Sequence, residues 1–147
     1  MYIDFICTKL DKRRGADDPL VRAFDAWENY DELCAFYDSC PECQSFPEEE
    51  YFSEGSQDHW EDYVIYADGV IAARAGIWKE DDTHWEVAGV ITRPEYRGRG
   101  YAQRLVRYCV NRILENGKTA VLTTRETNKA MIQAAQRAGF EIKKTEK

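Results

Sequence analysis

The chain has 147 residues, 44% of them hydrophobic and 13% aromatic, which fits one domain with a real core and argues against a disordered chain. No apolar run approaches the length of a membrane span. The first ten residues carry neither the leading positive charge nor the cleavage site of a signal peptide, so a cytoplasmic protein is expected, with no membrane partner. The five cysteines are odd in number and do not suggest a disulfide framework.

The net charge of −7 is unevenly spread. Eleven acidic residues and no Lys or Arg lie between Asp31 and Asp62, whereas thirteen Lys or Arg and five Asp or Glu follow from Arg93 onward. Two solvated surfaces of opposite sign would satisfy this pattern. A sharper reading has the basic half meeting a compact polyanion and the acidic half meeting a cation. Nucleic acid is a poor polyanion here, because phosphate-backbone affinity needs a broad positive face without a repelling neighbour.

In chain order, Tyr2 to Thr8 reads as a strand. Asp18-Pro19 looks like a helix start, with Leu20, Val21, Phe24, Trp27 and Tyr30 at helical spacing. A second helix is expected over Asp31 to Tyr37, then irregular chain around Pro41, Pro47 and Gly55. Tyr63-Val64-Ile65-Tyr66 and Val70 to Trp78 read as strands joined by a tight Asp68-Gly69 turn. Trp85 to Thr92 reads as a third strand, with a bulge expected at Ala88-Gly89. Gly100 to Asn116 is a helix with the stripe Ala102, Leu105, Val106, Cys109, Val110, Ile113, and Arg104, Arg107, Asn111 and Arg112 off it. A strand over Thr119 to Thr124 follows. Thr127 is expected to cap a last helix with Met131, Ile132, Ala135 and Ala138 inward, before a short strand at Phe140-Glu141-Ile142. The Trp85–Thr124 unit is a βαβ crossover with parallel strands, and the whole is an α/β chain with a mixed twisted sheet and helices on both faces.

The segment Val90 to Ala102 is strand, Gly-rich turn, then helix. Gly98 and Gly100 allow backbone that a side chain would disfavour, and the helix start presents free N–H groups to an anion. Arg97 and Arg99 add charge. A Walker loop is excluded, because Tyr101-Ala102 stands where Lys-Ser/Thr is needed. A dinucleotide fingerprint lacks its third glycine, since position 103 is Gln. A plain strand–helix turn that binds nothing is the competing reading.

Arg97-Gly98-Arg99-Gly100-Tyr101-Ala102, preceded by Pro94-Glu95-Tyr96, together with Asn128 and Gly139-Phe140 at matching spacing, resembles the GNAT superfamily of N-acetyltransferases. The resemblance covers roughly Tyr63 to Ile142 and implies a mostly antiparallel sheet with one splayed parallel pair. It implies one domain over 1–147, with substrate-side helices and loops in 1–62 and an acetyl-CoA-binding core in 63–147. Its function would be transfer of an acetyl group from acetyl-CoA to a primary amine, of a small cation or an exposed protein amine. The family also allows a homodimer. Carried over by position, main chain of Val90, Ile91 and Thr92 would pair with the pantetheine arm, and that of Arg97 to Ala102 would hold the pyrophosphate. Asn128, with Met131 beside it, would contact the arm from the other side. A backbone N–H near Val90 would face the thioester carbonyl.

An alkyl amine is protonated at neutral pH, so a base must take its proton. Glu86, flanked by Trp85 and Val87, is the candidate; the competing reading is a solvent-facing Glu on an alternating strand. His84 is a second candidate, read more simply as a turn residue, as are Asp81 and Asp82. The family often places a Tyr seven residues after the Asn to protonate the leaving thiolate; Ala135 stands there instead. Water or another tyrosine could serve; Tyr108 lies near the polar face of its helix by spacing. The departure keeps open a catalytically degenerate acyl-CoA-binding module. Cys40-Pro41-Glu42-Cys43, with Cys34 and His59, suggests a rival zinc or redox site, but the spacing is loose and no second Cys pair follows, so no metal is expected.

Overall fold

The computed structural model describes residues 2–8, 18–40 and 56–145. Seven strands form one sheet, β1 (Tyr2–Cys7), β2 (Val21–Phe24), β3 (Trp60–Ala67), β4 (Val70–Lys79), β5 (His84–Thr92), β6 (Thr119–Arg125) and β7 (Glu141–Thr145). Among the described residues three α-helices accompany them, α1 (Tyr30–Asp38), α2 (Tyr101–Glu115) and α3 (Lys129–Arg137). The strand order is β2-β3-β4-β5-β6-β1-β7, so the first strand lies between two of the last. Every pairing is antiparallel except β5 with β6.

The β3–β4 hairpin follows from its turn. Asp68 and Gly69 both take positive φ, 52° and 82°, which matches a two-residue turn whose twist suits the strands. A register shift beyond Ile65 inserts Ala72 into β4, so Ala73, Ala75 and Ile77 face one side while Ile71 faces the other.

The main core lies between the sheet and α2, where Leu105, Val106, Cys109, Val110 and Ile113 are buried against Tyr63, Ile65, Ile77, Trp85 and Val87. Each such large side chain contributes roughly 1.5–3 kcal/mol when fully buried. On the opposite face, Phe36 and Cys40 at the end of α1 pack on Val64 and Ile71.

The expected helix beginning at Asp18-Pro19 does not form. Asp18 accepts from the Leu20 N–H at 3.0 Å in a local turn, and Val21–Phe24 pair with Ile65–Asp62 as an edge strand. The last helix is capped by Asn128 rather than Thr127. Asn111, placed off the helix stripe by its polarity, is 2% exposed. The bulge falls one residue later than expected, with Gly89 and Val90 together opposing Ala75.

Candidate active site

Strand β5 positions the site. Its parallel pairing to β6 runs from His84↔Thr119 to Glu86↔Val121 and stops. Beyond Glu86 the two strands separate, and the bulge at Gly89-Val90 turns Val90 toward the α2 side, where Trp85 and Val87 also point. The gap opens into a cavity of about 620 Å³ walled by Val90, Ile91 and Thr92, by Tyr96, Arg97, Gly98, Gly100, Tyr101, Ala102 and Gln103, and by Asn128, Ala130, Met131, Gln133 and Ala134.

The turn is pinned from both sides. The Arg93 N–H donates to the Ala72 carbonyl at 2.8 Å, and its Nε donates to the Ile71 carbonyl at 2.5 Å. Tyr96 is buried and donates its hydroxyl to Asp68 at 2.8 Å, joining the turn to the hairpin tip. Arg97 Nε donates to the Thr92 carbonyl at 3.2 Å. Gly98 and Gly100 have φ of 83° and 82°, yet a Cβ on either would meet nothing within 4 Å. These glycines are therefore needed for backbone conformation and not for space. Gly100 caps α2, no side chain caps that end, and no acidic residue lies in its first turn. The first-turn N–H groups have no intrahelical acceptor and carry the positive end of the helix dipole. Such an end, set in a cavity wall, suits a phosphate.

Of the residues singled out for the cofactor, Val90, Ile91, Thr92, Arg97, Gly98, Gly100, Tyr101, Ala102, Asn128 and Met131 meet in this wall. Arg99 does not line it; its guanidinium lies over the Tyr96 ring at 5.0 Å. Asn128 Oδ1 accepts the Met131 N–H at 3.1 Å, which commits that atom to capping. Gln103, Ala130, Gln133 and Ala134 were not anticipated. The α3 residues could have been found from helical spacing around Met131, since 130, 131 and 134 share one face. Ala135 is fully buried in the core and is not part of the wall. Tyr108 packs on the Tyr63 ring at 4.9 Å, away from the cavity.

Glu86 stands where the parallel pairing ends, on the sheet face opposite α2, directly across from Trp78. It is half-buried, and loss of water pushes its carboxyl above the usual range, with Glu80 and Asp4 adding like-charge repulsion. His84 Nδ1 lies 2.7 Å from the Thr83 hydroxyl in the β4–β5 turn. Asp81 organises that turn by accepting the Thr83 and His84 N–H groups, which lower its pKa to about 2. Asp81 belongs to the turn, and His84 opens β5 beside it.

Cys40 is a buried thiol, Cys34 is half-buried, and Cys43 lies outside the described residues. His59 Nδ1 lies 2.9 Å from the Lys79 carbonyl and its ring packs on Trp78. Among the described residues no group of three or more His, Cys, Asp or Glu is placed to hold a metal. None of the described helices is long and apolar enough to cross a membrane.

A fold with one splayed parallel pair and an uncapped glycine turn at its mouth can be compared with known proteins. The acetyltransferase (GNAT) family model matches residues 24–140, and the chain belongs to that family. A GNAT-family protein from Novosphingobium aromaticivorans is 26% identical, with a TM-score of 0.78; the match covers 97% of this chain and 60% of that one. The chain thus spans about three fifths of that protein's length. The ribosomal-protein-S18-alanine N-acetyltransferase from Escherichia coli shares the fold at a TM-score of 0.68 and 16% identity, over 82% of this chain and 76% of that one. The AAC(6')-Iy structure with the bisubstrate analogue CoA-S-monomethyl-acetylneamine has a TM-score of 0.63 at 19% identity, over 86% of this chain and 92% of that one. No protein of curated function matches the sequence.

Proposed function

We propose that the chain transfers an acetyl group from acetyl-CoA to a primary amine. The observation that carries this reading is the β5–β6 gap, which opens from Glu86 into a cavity whose other wall is the uncapped start of α2. The first-turn N–H groups of α2 and Arg97 would hold the pyrophosphate. Main chain of Val90–Thr92 would align the pantetheine arm, opposite Asn128 and Met131. Bound acetyl-CoA supplies a thioester carbonyl open to nucleophilic attack. Glu86, kept basic by its desolvated setting, takes a proton from the acceptor ammonium. The amine nitrogen then bonds to the acetyl carbon, the C–S bond breaks, and the thiolate leaves with its electron pair and takes up the second proton that the nitrogen sheds. The Val90 N–H supports the developing oxyanion. A thiol with a pKa of about 8.5 is a fair leaving group, so the reaction does not need a tyrosine at position 135.

The acceptor would approach on the face opposite α2, where Glu86, Asp4 and Glu80 gather negative charge beside Trp78. That setting favours a cationic amine. Two relatives of similar fold are named for a protein amine and for a complex with an acetylneamine analogue, and both acceptor types suit this reading. A degenerate acyl-CoA-binding module is the second reading, motivated by the buried Ala135. The test is release of free coenzyme A thiol from acetyl-CoA across small polyamines, aminoglycosides, amino acids and peptides. Turnover with any of them supports the transferase. Tight coenzyme A binding with no turnover on the whole panel sinks it and favours the module.

A further inference from the structure

Arg74 sits in the middle of β4 and is 2% exposed, on the sheet face that α1 covers. A guanidinium so placed needs a partner for its charge. Asp62 of β3, 6% exposed, pairs with Nη2. Nη1 donates to the Tyr37 hydroxyl of α1 at 3.0 Å and to the Gly89 carbonyl at 3.3 Å. Two glycines make room for this fork. A Cβ on Gly76 would lie 2.9 Å from Nη2, and one on Gly89 would overlap Nη1.

Gly89 is also the first residue of the β5 bulge, with φ of 62°. The Gly89–Val90 peptide is trans, so the Gly89 carbonyl and the Val90 N–H point in opposite directions. A guanidinium that holds the Gly89 oxygen therefore turns the Val90 N–H away from itself. Val90 lines the cavity. We propose that Arg74 is a positioning residue that fixes the Gly89–Val90 peptide so that the Val90 N–H faces the thioester, with Tyr37 tying that peptide to α1 on the acceptor side. This rests on the acetyl-transfer reading.

Arg74→Lys keeps a cation for Asp62 but loses the fork that reaches Gly89 and Tyr37. Tyr37→Phe leaves the buried pair intact and removes one acceptor, so it answers the question even if Arg74→Lys does not fold. In folded Arg74→Lys, kcat should fall roughly ten- to a hundredfold, as for an oxyanion donor that is misaimed. The Kd for coenzyme A, by calorimetry, should stay within about twofold because the pyrophosphate cradle is untouched. Tyr37→Phe should show the same split at about two- to fivefold. A purely structural arginine would lower Tm while leaving kcat per folded site unchanged, and that result overturns the proposal. The Gly89 carbonyl ¹³C shift, read without any ligand, should move upfield in Arg74→Lys; an unmoved shift also overturns it. If the unaltered protein turns over no amine, acetyl transfer fails, while the Gly89 shift still decides whether Arg74 holds the peptide.

Discussion

Replacing Glu86 with glutamine should make the protein slower and, near neutral pH, more stable. The side chain is half-buried at the end of the β5–β6 pairing, and among the described residues no hydrogen bond or ion pair reaches its carboxylate. Desolvation, then Glu80 and Asp4, raise its pKa above 4.5. An acid whose folded pKa is raised loses stability as pH rises from its unfolded to its folded value. Glutamine, of the same shape, removes that loss. The variant should therefore melt above the parent at pH 7 and coincide with it below about pH 4, where both forms are neutral. Loss of a general base costs about 10²- to 10⁴-fold in rate. The parent's kcat/KM should fall as pH drops through the raised Glu86 pKa, and Glu86→Gln should lack that acid limb. Thiol release from pH 4.5 to 9 beside melting curves at pH 4 and 7 would measure both effects. A variant within about threefold of the parent, with the acid limb intact, refutes the assignment.

Asn128→Ala removes the cap that accepts the Met131 N–H, at about 1 kcal/mol, and should lower Tm by roughly 3 °C and weaken coenzyme A binding in the same preparation. Gly100→Ala meets no atom but must hold φ near 82°, a strain of about 1–2 kcal/mol. Its coenzyme A affinity, by calorimetry, should fall more than its Tm indicates, because the strain bends the phosphate turn. Glu61 is half-buried, which by itself would raise its pKa, but donors from Arg112, Tyr63 and Lys79 together lower it to about 2. Its contribution is present above pH 4.5 and is lost as pH falls toward 2, so Glu61→Gln should flatten the acid limb of urea-melt stability in that window.

Much of the cavity wall was legible because its signals are local. The Asp68-Gly69 turn names its own hairpin, and the α2 stripe and the glycines before it fix a strand–turn–helix unit. The errors arose where pairing is distant. Leu20, Val21, Phe24 and Trp27 fit a helical period, and a four-residue edge strand offers too few positions to show a period of two. Its true determinant is the backbone of β3, some forty residues away. Arg74 was overlooked because charge suggests surface. The available signal was a lone arginine inside the apolar run Ile71-Ala72-Ala73-Arg74-Ala75, with Gly76 clearing space beside it. Ala135 was expected to face inward from its helical spacing, and it is fully buried.

The place of β1 has a consequence for synthesis. Tyr2–Cys7 hydrogen-bond on one side to Arg125–Ala120 and on the other to β7, so β1 gains its partners only after much of the intervening chain has been made. About 120 residues separate Tyr2 from Arg125. At ribosomal speeds that is a wait on the order of 10 s, during which an apolar strand bearing Phe5 and Ile6 has neither neighbour. A newborn chain therefore carries a strand with two bare edges until β6 and β7 follow, and its yield should depend on chaperone supply more steeply than its final stability would indicate.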